Sequence, residues 1–263
     1  MTWDPRQYLK FSNERLRPGF DLLAQVGELP PGPIWDLGCG TGVHARAIAE
    51  RWPEHEVIGF DKSPQMLDEA AAAGPSRVTW RSGEIDTWQA PHKAALIYST
   101  ATLQWVEEHA ALFPRLLTQL APDGVLAVQM PRNFDAPSHA LMRATAAEGP
   151  WAAILEPQTR AGGGSLLRLD PVGSPAFYYD LLRPRVRALD LWETEYLHVL
   201  SGEDPVLEWV RGSALRPVLD ALPPEMARGF EAAYGARLRE AYPRRGDGHT
   251  LLPFRRIFFV ARV

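Results

Sequence analysis

The stretch "PIWDLGCGTGVHARAI", residues 33–48, decides the fold of this chain. Its first five residues are mostly apolar, as in a short buried strand. Glycines follow at positions 38, 40 and 42, and residues with helical spacing then continue as far as Pro53. Glycine adopts positive φ angles and lets a ligand approach the backbone closely. A strand, a glycine turn and a helix in succession therefore predict a ligand site at the carboxyl end of a strand.

The same alternation of strands and helices continues on both sides of this stretch. We predict strands at 33–37, 56–61, 77–83, 93–99, 124–130, 187–200 and 250–263. We predict helices at 42–53, 63–74, 107–124, 133–149, 176–184, 204–221 and 223–242, and a loop at 160–175. Strands that alternate with helices at this spacing predict an α/β fold, with a doubly wound, mostly parallel seven-stranded sheet and an inserted helical cap.

We expect one domain over residues 1–263, because no linker separates two independent parts. Within it we expect a helical cover at 1–30, a cofactor-binding half at 31–132, a largely helical substrate cap that also completes the sheet at 133–248, and a final strand at 249–263.

Composition narrows the class of function. The net charge is −4 without blocks of like charge, so nucleic acid is not expected as a partner. No run of about 18 apolar residues predicts a membrane span. The single cysteine excludes an intrachain disulfide and favours the cytoplasm. No metal is expected, because no cluster of Cys, His and carboxylates has metal-ligand spacing. We expect a monomer or a weak oligomer.

The glycine spacing and three neighbouring acids indicate the ligand. The turn reads G-x-G-x-G with Asp36 just before it, whereas a dinucleotide turn reads G-x-G-x-x-G and receives a pyrophosphate. An acid at this place suits a cationic group. Asp61 ends the next strand, where a carboxylate can accept hydrogen bonds from ribose hydroxyls, and Glu84 and Ile85 follow the third strand, where an adenine would lie.

A nucleoside with a cationic tail and no phosphate fits these positions, and S-adenosylmethionine is such a molecule. Cys39 is expected to fill space beside this cofactor rather than to act as a nucleophile, because no histidine is paired with it in sequence. The predicted cofactor-binding residues are Asp36, Gly38, Cys39, Gly40, Gly42, Asp61, Lys62, Met66, Glu84, Ile85 and Ser99.

The pattern "DLGCGTG…GFDKSPQML…GEI" resembles the class I S-adenosylmethionine-dependent methyltransferases, which have a Rossmann-like fold. The stretches "YSTATLQWVEEHAALFPRLLTQLAPDGVLAVQMP", "YYDLL", "LRPVLDAL" and "LLPFRRIFFVAR" extend the resemblance to the branch that methylates trans-aconitate. This resemblance covers nearly the whole chain, but residues 150–172 depart from it. It implies that one carboxylate of a small tricarboxylate receives the methyl group as a monomethyl ester.

A carboxylate is ionised at neutral pH and attacks a methyl group without a general base, so no catalytic triad is expected. Catalysis then rests on alignment of the acceptor and exclusion of water. Gln104 and Trp105 follow the fourth strand, and we predict that they position the substrate; Trp105 packing beneath the cap is the alternative. The predicted substrate-binding residues are Tyr8, Arg15, Arg17, Trp105, Tyr178, Arg216 and Arg256.

Three other functions are consistent with parts of the sequence. A methyltransferase acting on another small carboxylic acid, or on a metabolite hydroxyl or amine, would explain the divergent 150–172 stretch. A non-catalytic S-adenosylmethionine binder would share the cofactor residues without turnover. A nicotinamide oxidoreductase would share the fold, but the glycine spacing opposes it.

Overall fold

The computed structural model describes residues 12–160 and 172–263 of the chain. Seven strands form one sheet in the spatial order β3-β2-β1-β4-β5-β7-β6. The strands are β1 (Ile34–Leu37), β2 (Val57–Asp61), β3 (Val78–Ser82), β4 (Ala94–Thr100), β5 (Leu120–Pro131), β6 (Ala188–Leu200) and β7 (Thr250–Arg262). The pairs β1–β2, β2–β3, β1–β4 and β4–β5 are parallel, and β7 pairs antiparallel to β5. The predicted seven-stranded, mostly parallel α/β sheet is confirmed.

Ten α-helices surround or follow these strands within the described residues. They are α1 (Ser12–Gln25), α2 (Val43–Arg51), α3 (Pro64–Ala72), α4 (His109–Leu117), α5 (Pro137–Ala147), α6 (Ala152–Arg160), α7 (Pro175–Leu182), α8 (Pro205–Arg211), α9 (Arg216–Asp220) and α10 (Pro224–Ala241). Short 3-10 helices cover Leu103–Trp105 and Arg183–Arg185. Residues 161–171 of the predicted loop at 160–175 lie outside the described residues.

The predicted helix at 107–124 is wrong in its second half. Helix α4 ends at Leu117, and β5 already begins at Leu120, which pairs with Ala94. An irregularity in the β4–β5 register separates this pair from the pair of Leu96 with Val125. Pro122 has no backbone N–H and Asp123 has a φ of 62°, so the chain cannot continue as a helix here.

The predicted helix at 204–221 is interrupted. Helix α8 ends at Arg211, and the backbone N–H groups of Ser213 and Leu215 both donate to the carbonyl of Val210 in a tight turn. Pro217 then lies in the first turn of the short helix α9, where its missing N–H costs least.

Helix α1 runs along the sheet with its first turns towards the carboxyl ends of the parallel strands. The carbonyl of Leu16 contacts Nε2 of His44 at 3.1 Å, next to the glycine turn. The carbonyls of Leu23 and Val26 accept hydrogen bonds from Arg51, at the far end of α2. Arg15 therefore lies at the end of α1 that is nearest to the ligand edge of the sheet.

The described residues divide into two compact units. The first, termed the sheet unit, comprises Arg15–Pro131, Val172–Thr194 and Arg256–Val263. Its core includes Phe113 packed edge-on against Tyr178 and Phe259. The second, termed the helical unit, comprises residues 12–14, 132–160 and 195–255. It has a separate core, in which Trp151 packs edge-on against Phe230.

Candidate active site

The glycine turn connects β1 to α2 at the carboxyl edge of the sheet. The φ angles of Gly38, Gly40 and Gly42 are 78°, 53° and 77°, so each glycine adopts the left-handed conformation expected from the sequence. The N–H groups of Gly38 and Cys39 donate to the carbonyl of Phe60 at 2.7 and 3.1 Å, which fixes the turn against the end of β2.

Two of these glycines are required for different reasons. A Cβ atom on Gly42 would lie 2.3 Å from Cη2 of Trp80, so protein packing excludes a side chain there. A Cβ atom on Gly40 would have nothing within 4 Å. The backbone at Gly40 therefore faces open space that a ligand can occupy.

Asp61 joins the glycine turn to the next helix. Its Oδ2 accepts a hydrogen bond from the N–H of Gly40, and its Oδ1 accepts one from the N–H of Ser63, both at 2.9 Å. The Ser63 hydroxyl in turn caps α3 by accepting from the N–H of Met66 at 3.3 Å. The carboxylate is thus held at the strand end, half-buried, with lone pairs left for ligand hydroxyl groups.

Asp36 is completely buried, and neither oxygen of its carboxyl group has a hydrogen-bond partner. Burial, followed by repulsion from Asp61, raises its pKa to about 8. The nearby backbone N–H of Ala45 opposes this shift without reaching hydrogen-bond geometry. A cation placed against this buried carboxyl group would stabilise its ionised form and lower its pKa.

Cys39 occupies the turn as a small buried side chain. Burial, Asp36 and Asp61 all raise the pKa of its thiol, which keeps the sulfur protonated and unreactive. The sequence assigned Cys39 a packing role, and this environment agrees with that assignment.

The loop after β3 carries two of the predicted cofactor residues beside Asp61. The N–H of Gly83 donates to the carbonyl of Asp61 at 3.2 Å, which holds the ends of β2 and β3 together. Glu84 is exposed and Ile85 is half-buried. Arg115 of α4 donates to the carbonyls of Ile85 and Trp88 at 2.8 and 2.6 Å, and so fixes the loop.

The other predicted cofactor residues differ in exposure. Lys62 is exposed, whereas Met66 is buried on α3. Ser99 is fully buried, and its hydroxyl donates to the carbonyl of Leu37 at 2.7 Å. This bond places Ser99 in the interior between β4 and β1, where it holds the two strands together.

The segment after β4 is strained and highly hydrogen-bonded. Ala101 has a φ of 51°, a conformation that costs energy for a residue with a Cβ atom. Its N–H donates to the carbonyl of Gln129 at 3.0 Å, and its carbonyl accepts from Nε2 of Gln104 at 2.7 Å. Thr102 donates to the carbonyl of Gly38 at 3.2 Å, which connects this segment to the glycine turn. Trp105 is 52% exposed, so it is not a core residue within the described chain.

The His109 side chain joins this segment to Tyr178. Its Nε2 contacts the carbonyl of Leu103 at 2.8 Å, and its Nδ1 contacts the hydroxyl of Tyr178 at 2.7 Å. The same hydroxyl accepts the N–H of Gly173 at 3.2 Å. Tyr178 is fully buried and its hydroxyl contacts these protein groups, and its predicted role in substrate binding stays a prediction from the sequence.

The predicted substrate arginines occupy different environments. Arg15 and Arg256 belong to the sheet unit and are 8% and 3% exposed. Arg17 is exposed and lies 3.6 Å from Asp21. Arg216 belongs to the helical unit, where it begins α9 and lies 3.8 Å from Asp220. Tyr8 lies outside the described residues.

Across the described ranges 12–160 and 172–263, the acids, histidines and cysteine form no group of three or more that is placed to hold a metal ion. In the same ranges no helix has the length and apolar character needed to cross a membrane.

Known proteins resemble this chain along its full length. A methyltransferase domain model matches residues 34–124. The trans-aconitate 2-methyltransferase of Azoarcus sp. (strain BH72) is 46% identical over 99% of this chain and 98% of its own length. The enzyme of the same name from Streptomyces avermitilis is 48% identical, covering 99% of this chain and 96% of its own. The chain belongs to the trans-aconitate 2-methyltransferase family. It is an S-adenosylmethionine-dependent methyltransferase, as its sequence predicted.

Solved structures with lower identity share the fold of this methyltransferase. The YcgJ protein from Bacillus subtilis aligns with a TM-score of 0.57 at 12% identity, covering 94% of this chain and 98% of its own. A phosphoethanolamine N-methyltransferase 2 of Haemonchus contortus, solved with S-adenosyl-L-methionine, gives a TM-score of 0.53 at 16% identity and covers 94% of this chain and 52% of its own.

The residues of the glycine turn fit the cofactor of this methyltransferase. Asp36 offers a buried carboxyl group without a hydrogen-bond partner to a cation, and Gly40 leaves space at the backbone. Asp61 keeps acceptor capacity for hydroxyl groups at the end of β2.

Three residues at this edge were missed by the sequence analysis. They are Arg115, His109 and Gln129, which hold the β3 loop, the segment after β4 and the side chain of Thr100. Arg115 and Gln129 contact groups about thirty positions away, and His109 contacts Tyr178 69 positions away as well as the nearby Leu103, so no local pattern indicated them.

Proposed function

We propose that this methyltransferase converts trans-aconitate into a monomethyl ester. S-adenosylmethionine supplies the methyl group, which passes to a carboxylate oxygen as the carbon–sulfur bond breaks with its electron pair on sulfur, so that S-adenosylhomocysteine and the ester form. An ionised carboxylate needs no base, which agrees with a site that offers positioning groups rather than a catalytic triad. The relatives named for trans-aconitate, at 42–48% identity over almost the whole chain, are the observation that carries this proposal.

Each part of the edge has a separate task in the proposed reaction. Asp36 lies against the cationic tail of the cofactor and attracts it, and Asp61 accepts hydrogen bonds from the ribose hydroxyls. The loop with Glu84 and Ile85 binds the adenine. The glycine turn permits close approach of the ligand at Gly40. These roles orient the methyl group towards the segment after β4.

The substrate groups are assigned on charge and burial. A tricarboxylate needs local cations, because the net charge of −4 provides no long-range attraction. Arg15 and Arg256 provide buried guanidinium groups in the same unit as the cofactor residues. Guanidinium pairs well with carboxylate and remains charged when buried. Gln104 and Trp105 then position the acceptor carboxylate, and the partly exposed Trp105 ring shields it from water. Arg17, Arg216 and Tyr8 remain predictions from the sequence.

The remaining parts of the proposal concern partners and location. We place the enzyme in the cytoplasm as a monomer or weak oligomer that binds a small polycarboxylate rather than nucleic acid. Size-exclusion chromatography with light scattering tests the oligomeric state directly.

The deciding experiment measures release of S-adenosylhomocysteine from purified protein. Trans-aconitate, cis-aconitate, citrate and isocitrate are supplied as separate acceptors, with the ester identified by mass spectrometry. We expect turnover with trans-aconitate and much slower or no turnover with the other three. Binding of S-adenosylmethionine without turnover on any acid contradicts the proposed substrate and favours an acceptor outside this set.

A further inference from the structure

Gln129 lies on β5 one position before Met130, close to the carboxyl end of the strand, and it is 1% exposed. Its Oε1 accepts a hydrogen bond from Oγ1 of Thr100 at 2.8 Å. Its Nε2 is buried and has no hydrogen-bond partner. A buried amide N–H₂ without an acceptor is unfavourable because its lost hydration is not replaced, so native proteins seldom keep one unless a ligand or water completes the bond.

Strand register places this amide beside a buried cation. Gln129 pairs with Phe258, and Pro131 pairs with Arg256 on the antiparallel strand β7. Side chains alternate between the faces of a sheet, so Gln129 and Arg256 project from the same face as diagonal neighbours, about 7–8 Å apart along the sheet. Both residues belong to the sheet unit.

The same face receives the first turns of α1. Tyr98, two residues before Thr100, lies on this face and donates from its hydroxyl to the carbonyl of Gly19 at 2.6 Å. Arg15 lies one helical turn before Gly19, towards the carboxyl edge of the sheet. Arg15, Arg256 and Gln129 thus supply two buried cations and one buried amide donor at one end of one face.

We propose that Nε2 of Gln129 donates a hydrogen bond to a substrate carboxylate and so determines specificity for a polycarboxylate. The donor is neutral, and it supplements the guanidinium groups by fixing the direction of approach. Thr100 acts as a positioning residue, because its hydroxyl occupies Oε1 and leaves Nε2 to face the substrate. This inference rests on the proposed function.

The test compares four acceptors in the parent protein and in Gln129→Met, which removes the donor at similar volume. Trans-aconitate has three carboxylates, and mesaconate, cis-glutaconate and itaconate each lack a different one. We expect Gln129→Met to lower kcat/KM for trans-aconitate about tenfold through KM, which is the effect of one hydrogen bond to a charged group. For the diacid that lacks the contacted carboxylate, kcat/KM should change less than twofold.

Two controls separate this role from a structural one. Calorimetric binding of S-adenosylmethionine should be unchanged in Gln129→Met, which shows that the fold persists. Gln119→Met alters a glutamine just before the opposite end of β5, whose Oε1 accepts the N–H of Ala90 at 3.1 Å, and should leave discrimination among the acids unchanged.

A second pair of variants keeps the test decisive if Gln129→Met does not fold. Thr100→Val removes the hydrogen bond to Oε1 of Gln129 and should raise the KM for trans-aconitate. Thr100→Ser retains the hydroxyl and should keep this KM at the value of the parent protein. An equal loss of kcat/KM on all four acids in Gln129→Met overturns the inference, as does an unchanged KM for trans-aconitate in Thr100→Val where only that variant folds.

The outcomes for the two proposals are distinguishable. If the parent protein releases no S-adenosylhomocysteine with trans-aconitate, the proposed function fails and this inference fails with it. If the parent turns over and the Gln129 variant behaves identically, the inference alone fails.

Discussion

At the scale of single residues, the glycine turn shows two different reasons for the same residue type. The Trp80 ring fills the space where a Gly42 side chain would lie. Gly40 faces open space, and its N–H donates a hydrogen bond to Asp61. The first is a packing requirement of the fold. The second leaves room for a ligand at the backbone, so only Gly40 has a requirement for glycine that is attributed to the proposed cofactor.

Substitution by alanine should separate these two roles. Gly42→Ala places Cβ at 2.3 Å from Trp80 at a φ of 77°, so we expect a loss of several degrees in Tm. Gly40→Ala incurs only the cost of its positive φ, about 1 kcal/mol, but should raise the Kd for S-adenosylmethionine at least tenfold.

Differential scanning fluorimetry and calorimetric titration of both variants measure these effects. An unchanged Kd in a folded Gly40→Ala protein would show that no ligand approaches this part of the backbone.

The sequence alone could identify a candidate site residue only where that residue belongs to a local pattern. Asp36 lies just before the glycine turn and Asp61 ends the next strand, and spacing alone identifies both positions. Gln129 lies inside the apolar run "GVLAVQM", where a single polar residue is not distinctive. Its importance arises from Thr100 and from the register with β7, neither of which is visible in a linear pattern.

At the scale of secondary-structure elements, strands were predictable and helix ends were less so. Strands β1, β2 and β4 are buried on both faces, so they appear as short apolar runs bounded by turn residues. The sequence "TQLAPDGV" has helix-compatible residues next to a turn, and only the pairing of Leu120 with Ala94 reveals a strand. Tertiary pairing decided that boundary.

Helix α4 supports the candidate site indirectly, through a side chain that holds one of its loops. Because Arg115 fixes the loop with Ile85 through two backbone carbonyls, Arg115→Ala should release the proposed adenine contact. We expect the KM for S-adenosylmethionine to rise about tenfold, while the KM for the acid substrate changes little.

A matched control is Arg77→Ala. Arg77 also donates to backbone carbonyls, those of Ala49 and Pro53 at 3.2 and 3.4 Å, but it precedes β3 at the opposite edge. Initial-rate kinetics with each substrate varied in turn compare the two variants. An equal rise in KM for S-adenosylmethionine in both would mean that Arg115 acts through general stability.

At the scale of the whole molecule, the predicted cofactor residues all lie in one unit. All eleven predicted cofactor positions fall within Arg15–Pro131 of the sheet unit. The helical unit has its own core, with Tyr234 bonded through its hydroxyl to the carbonyl of Ser138 at 2.8 Å. The sequence predicted an irregular helical segment after Met130 but not this separate core, because contacts that form it, such as those of Trp151 with Phe230 and of Tyr234 with Ser138, join residues distant in sequence.

The buried acid at the centre of the site should control the stability of the whole chain. Folded Asp36 has a pKa of about 8, and an unfolded aspartate has one near 4. Between these pH values the folded protein retains a proton that the unfolded chain has released. The free energy of unfolding should therefore fall as pH rises from about 4 to about 8, by at most about 1.4 kcal/mol per pH unit, and level off above pH 8.

Asp36→Asn has no such proton, so the Tm of the unliganded parent minus that of Asp36→Asn should decrease with pH until about 8. Asp68→Asn, which alters an exposed acid on α3, serves as the control for the removal of an acidic side chain. Where the cationic tail of the cofactor lies against Asp36, as proposed, saturating S-adenosylmethionine should lower the pKa of Asp36 and remove most of the decrease. Parallel Tm curves for the parent and Asp36→Asn would show that the carboxyl group is ionised throughout, and a decrease that persists with the cofactor would place the cation elsewhere.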